Sequence, residues 1–164
     1  MERQAMKVLI LNGPNLNLLG ERSPEIYGYT NFADYLDELA DRFPSVRLQY
    51  YQSNVEGELI DAIHAAGSVS PNLNPDAEAR TTVVSPCDAI VLNAGALTHY
   101  SYALADAIEA VSVPVIEVHI SNIAARERFR ANSVIAPVCM GSISGFGMES
   151  YALAIHALLN DVSS

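Results

Sequence analysis

The sequence predicts a doubly wound α/β fold, one sheet of five parallel strands with helices on both faces, and three observations carry that prediction. Apolar runs bounded by turn residues alternate with segments of helical period, the pattern of strand–helix–strand crossovers. The 164 residues, half of them apolar, suffice for one buried core, so residues 1–164 are expected to form a single domain. Polar residues suited to chemistry follow the apolar runs: Asn12 and Asn15, Asn93 and His99, His119 and Ser121. Sheets of this class bind ligands beyond the carboxyl ends of their strands.

The first strand is expected over 7–12, where Gly13 and Pro14 end it and expose the loop through Asn15 and Asn17. A helix follows over 31–43, with Phe32, Leu36, Leu39 and Phe43 on one face and Pro44 as its stop. Val46, Leu48 and Tyr50 alternate as a second strand. Ser53 and Glu56 have capping-box spacing, which opens a helix turning Leu59, Ile60 and Ile63 inward. Residues 89–92 form the third strand, 102–111 a helix and 115–120 the fourth strand, followed by a short arginine-rich helix. The fifth strand lies within 135–144, and a closing helix covers 150–159 with Leu153, Ile155 and Leu158 apolar. The flavodoxin-like order 2-1-3-4-5 is favoured over a Rossmann-like one, which puts the crevice beside strands one and three. Residues 67–86 carry Pro71, Pro75 and Pro86 and exceed the usual connection, so they read as a surface-loop insertion, with a short extra strand conceivable at 81–84.

A net charge of -10 and a pI near 4.6 argue against nucleic acid, which needs a basic surface. Arg126, Arg128 and Arg130 nevertheless cluster after His119, and Arg22 sits near Tyr27, so the charge reverses where a small anion would be drawn in. Cys87 and Cys139 form no paired motif, so neither a zinc site nor a redox couple is signalled and a cytoplasmic location is expected. The apolar run at 8–11 is too short for a signal-peptide core or a membrane span.

Glu117 and His119 are two apart in a strand, so both leave one face and can meet. A carboxylate beside a histidine favours the protonated ring, which suits a group that protonates a leaving oxygen, although a sheet-end polar pair has the same spacing. Tyr27 lies in a loop bracketed by Gly20 and Gly28 with Arg22 inside it, the composition of a lid. A phenol of pKa about 10 is ionised in only about one molecule in a thousand at neutral pH. Two arginine contacts would lower that value by about two to three units, making a base available. Base and acid together point to an elimination. His64 and His156 sit in helix-period segments as surface or packing residues, and the glycines of 141–147 fit tight packing better than a nucleotide loop. The single lysine, Lys7, starts strand one at the wrong end of the sheet for imine chemistry.

Five ordered motifs then carry a resemblance: residues 12–20 (NGPNLNLLG), Tyr27-Gly28, residues 52–64 (QSNVEGELIDAIH), 92–99 (LNAGALTH) and 116–122 (IEVHISN). Together they resemble the type II 3-dehydroquinate dehydratases over nearly the whole chain outside the 67–86 insertion. The resemblance implies removal of water from 3-dehydroquinate to give 3-dehydroshikimate in the shikimate route, by anti elimination through an enolate, with no metal or organic cofactor. By position it implies Tyr27 as base, Arg22 as the lid arginine, and Arg126 as a second arginine near the tyrosine. Asn15 would stabilise the enolate oxygen through a water, and His119, oriented by Glu117, would protonate the departing hydroxyl. Asn93, His99, Ile120 through its backbone, Ser121 and Arg130 match substrate-binding positions. Asp106 matches a residue that reaches a neighbouring subunit's site, so a homo-oligomer is implied, a dodecamer built from trimers. Ser150 stands where glycine is expected before the last helix, and neither it nor the insertion is expected to touch a catalytic position.

Two other classes share the fold. A flavodoxin-like FMN-binding module needs a hydroxyl- and glycine-rich phosphate loop after strand one, where this chain has Gly13-Pro14-Asn15-Leu16-Asn17. A phosphoacceptor signalling domain needs acidic residues where Asn12 and Asn93 stand.

Overall fold

Val8, Leu9, Ile10 and Leu11 are all fully excluded from solvent, which a strand achieves only at the centre of a sheet covered on both faces. The computed structural model describes residues 4–21, 25, 31–69 and 83–160, and the central strand is β1, Met6–Asn12. It pairs in parallel with β2 (Val46–Gln52) on one side and β3 (Ala89–Asn93) on the other. β4 (Val115–His119) and β5 (Gly141–Ser144) complete a five-stranded sheet of order β2-β1-β3-β4-β5. The favoured order is therefore the observed one, and the Rossmann-like alternative is set aside.

Alternate strand residues feed two cores. Val8, Ile10, Val91, Ile116 and Val118 pack under α1 (Phe32–Arg42) and α4 (Glu149–Leu159). Leu9, Leu11, Ile90 and Leu92 pack under α2 (Glu56–Ala66) and α3 (Tyr102–Glu109). α1 starts where Asn31 accepts the amide of Asp34 at 2.9 Å, and α3 where Ser101 accepts that of Leu104 at 3.0 Å. A paired contact from Arg42 to both Glu149 oxygens, at 2.8 and 2.7 Å, ties the end of α1 to the start of α4.

Three local expectations change. Ser53 does not cap α2: its hydroxyl accepts the Val55 amide at 2.9 Å and donates to the Glu58 carboxylate, so the helix starts two residues later, after Val55. Glu56, freed from a capping box, accepts the Ser101 hydroxyl at 2.7 Å and joins the starts of α2 and α3. The arginine-rich helix is two 3-10 turns, Ile123–Ala125 and Arg128–Arg130, because Arg126 (ψ -167°) and Glu127 (ψ 147°) are extended between them. In the closing helix Ile155 and Leu158 are buried while Leu153 is 37 % exposed. Most of the 67–86 insertion lies outside the described residues. On its return Val83 and Val84 are not in a strand, and Gln49 holds Ser85 through the Ser85 amide and carbonyl at 2.9 and 3.1 Å.

Candidate active site

The crevice begins where the loops after β1 and β3 press together. Gly13 donates its amide to the Asn93 carbonyl at 2.7 Å, and a Cβ on Gly13 would lie 2.6 Å from the Ala94 carbonyl oxygen, so only glycine fits. Asn15, left-handed at φ 69°, gives its amide to Asn54 Oδ1 at 2.9 Å. Gln52 in turn donates to that same Asn54 oxygen at 3.1 Å and to the Gly13 carbonyl at 3.2 Å. These bonds hold the loop backbone at Gly13 and Asn15, and the Asn15 residue lines the cleft.

β4 supplies the next wall. Glu117 and His119 do share a face: Nε2 of His119 donates to Oε1 of Glu117 at 2.7 Å, and the pair is buried. Sequence reading missed what surrounds the carboxylate. Thr98 and Ser133 also donate to Oε1, the latter at 2.7 Å, and Ser142 donates to Oε2 at 3.0 Å. Burial alone would raise the Glu117 carboxyl, but the hydrogen bonds from His119, Thr98 and Ser133 outweigh it and bring it down to about 2. With Nε2 committed to an ionised Glu117, Nδ1 is the nitrogen of His119 left for the cleft.

Asn93 ends β3 with its amide between the buried Tyr151 hydroxyl, at 2.9 Å, and the Gly95 amide, at 3.2 Å. His99 gives Nδ1–H to the Asn132 carbonyl at 2.7 Å, because a carbonyl can only accept, and its Nε2 stays available. Beyond β4 the two 3-10 turns bring Arg126 and Arg130 to the rim, both facing the Glu127 carboxylate at 3.8 and 3.2 Å. Ser150 also belongs here, contrary to the sequence reading: its hydroxyl, fully buried, donates to the His119 carbonyl at 3.0 Å.

One cleft of about 740 Å³, its open mouth included, gathers Asn15, Asn93, His99, His119, Ile120, Ser121, Arg126 and Arg130. Three chain segments converge as the strand order requires. Glu117 stands behind His119, and Asp106 is exposed on α3, away from the cleft. Arg22 and Tyr27 lie outside the described residues. Thr98, Ser133, Ser142 and Tyr151 escape a sequence reading because hydroxyls are common and only the folded chain brings these together. Among the described residues no three His, Cys, Asp or Glu side chains gather as a metal site would need. No described helix is long and apolar enough to cross a membrane.

Comparison with known proteins agrees with this frame. The family profile Dehydroquinase class II matches residues 6–159. A 3-dehydroquinate dehydratase of Caldicellulosiruptor saccharolyticus is 51% identical over 154 residues, covering 93% of this chain and 95% of its own. The crystal structure of a type II dehydroquinase from Butyrivibrio crossotus superposes with a TM-score of 0.82 at 42% identity, over 96% of this chain and 100% of that one. That of Propionibacterium acnes gives 0.81 at 37% identity, over 98% and 100%. With the profile spanning residues 6–159 and a relative about half identical over nearly the whole chain, the chain belongs to the type II 3-dehydroquinate dehydratase family.

Proposed function

We propose that Tyr27 and His119 divide the two proton transfers of the reaction between them, Tyr27 as base and His119 as acid. The reaction itself follows from the family: the dehydration of 3-dehydroquinate, a step of the shikimate pathway. The base takes the proton alpha to the carbonyl, and the electron pair moves onto the oxygen as an enolate. The enolate then collapses, the carbon–oxygen bond to the hydroxyl breaks, and the donated proton turns the departing group into water. The product is 3-dehydroshikimate.

In this reading Arg22 and Arg126 favour the tyrosinate and Arg22 supports the transition state. Asn15 holds a water against the enolate oxygen, and Asn93, His99, Ser121, Arg130 and the Ile120 backbone bind substrate. His119 delivers its proton from Nδ1, the atom Glu117 leaves free. The observation that carries the assignment is that buried pair at the cleft wall. General acid–base groups of this kind each contribute about 10² to 10⁴ in rate. No metal or organic cofactor takes part. Assembly as a homododecamer of trimers, with Asp106 reaching a neighbouring site, and a cytoplasmic location complete the reading.

The test follows the conjugated enone by ultraviolet absorbance after 3-dehydroquinate is added, with and without chelator. Wild type turns over equally in both. Tyr27→Phe and His119→Ala lose most of kcat, and near-normal turnover in Tyr27→Phe refutes the base. Mass measurement of the native assembly checks the oligomer.

A further inference from the structure

Asn12 and Asn93 are register partners on neighbouring parallel strands, so their side chains leave the sheet side by side on one face. Tyr151 of α4, fully buried, stands between them. Its hydroxyl donates to Asn12 Oδ1 at 2.8 Å and accepts from Asn93 Nδ2 at 2.9 Å. A phenol has a single proton to give. Once Asn12 takes it, Asn93 must present its amino group to the tyrosine and its carbonyl to the Gly95 amide. A flipped Asn93 amide would set oxygen against oxygen and N–H against N–H. The observed orientation satisfies the tyrosine hydroxyl and the Gly95 amide together, and Asn93 lines the cleft in it.

We infer that Tyr151 is a positioning residue of this enzyme, one that fixes which end of the Asn93 amide meets the substrate. It touches no reacting atom; it acts through Asn93. The inference rests on the reading that Asn93 binds 3-dehydroquinate. The phenol suits the task because its ring is locked by neighbours: Phe32 at 5.0 Å and Tyr35 at 6.2 Å, both edge-on. Burial also pushes its proton well above the ordinary tyrosine range, so the direction of the relay does not change with pH.

Tyr151→Phe keeps that packing and removes the hydroxyl. The expected result is a rise in KM for 3-dehydroquinate of about tenfold, the value of one good hydrogen bond, with a smaller loss in kcat. A merely structural tyrosine would lower the melting temperature without that split. In an Asn93→Ala background the same change should leave KM where Asn93→Ala put it, since residues acting as one unit are non-additive. Effects that multiply in the double variant overturn the inference while leaving Asn93 at the substrate. An Asn93→Ala enzyme with unchanged KM removes Asn93 from the substrate site, and the inference falls with that reading. Unaltered wild-type protein gives an independent check should Tyr151→Phe fail to fold. One side-chain N–H of Asn93 should resist hydrogen exchange in nuclear magnetic resonance, and two freely exchanging protons would overturn the inference.

Discussion

Ser150 donates its hydroxyl to the backbone carbonyl of His119 at 3.0 Å, so the first turn of the last helix is tied to the residue that ends β4. The same carbonyl also accepts the Gly145 amide at 3.2 Å. Removing the serine hydroxyl therefore leaves no orphaned oxygen. Ser150→Ala should cost about 1 kcal/mol, the net value of one hydrogen bond, and shift kcat by less than about twofold. Urea midpoints with an unchanged slope, read beside steady-state rates, check both expectations.

Glu117 is expected to tolerate substitution far less well. Four donors converge on its two oxygens, and an amide in its place would turn an NH₂ toward some of them. Glu117→Gln should lose stability by roughly 3 kcal/mol as buried partners go unpaired, and kcat by about a hundredfold as His119 loses its anchor. Thermal melts and turnover numbers measured on the same preparation would show it. Wild-type kcat in that variant would remove the orienting role.

The same carboxylate makes the fold sensitive to acid. Its folded pKa is depressed from 4.5 to about 2, so it contributes stability that is fully present above the unfolded value. That stability is lost as pH falls from about 5 toward 2, and it amounts to about 3 kcal/mol at 1.36 kcal/mol per unit. Urea unfolding at neutral pH and through this window should show the decline in wild type and a shallower one in Glu117→Gln.

Gly13→Ala tests the contact between the two loops. The added methyl would start 2.6 Å from a backbone oxygen, where no flexible side chain can move aside. We expect a loss of about 1 to 3 kcal/mol, the usual cost of overpacking, together with a raised KM because Asn15 and Asn93 flank the contact. Calorimetry and kinetics together would distinguish this from a local effect.

The tyrosines offer a spectroscopic test of the proposed base. The chain has eight tyrosines, and burial raises Tyr35 to about 12 and pushes Tyr50, Tyr51 and Tyr151 upward as well. These four stay silent near neutrality. Subtracting the Tyr27→Phe signal from wild type with a substrate analogue bound should isolate one phenolate forming below about pH 9. A flat difference there would leave the enzyme without its base.

The parallel sheet and the Glu117–His119 pair were legible because each rests on a periodicity: apolar runs alternating with helix-period segments for the sheet, alternation of two for the pair. The convergence of Asn15, Asn93 and His119 was legible for a related reason, since doubly wound sheets gather ligands at one edge. What could not be read depends on choices between equivalent partners. Ser53 had the spacing of a cap and spent its hydroxyl on Glu58 instead. Thr98, Ser133 and Ser142 come from three segments whose meeting no local pattern announces. Tyr151 looks in sequence like any apolar position of a closing helix, and only the register of β1 with β3 reveals what its oxygen lies between.

Because a hydrogen atom is all that separates Gly13 from the Ala94 peptide, the turns after β1 and β3 are effectively one casting. Drift in either turn must be answered in the other, so the pair should vary together among relatives or not at all. Directed evolution toward new substrates will therefore find more freedom at the arginine rim than here.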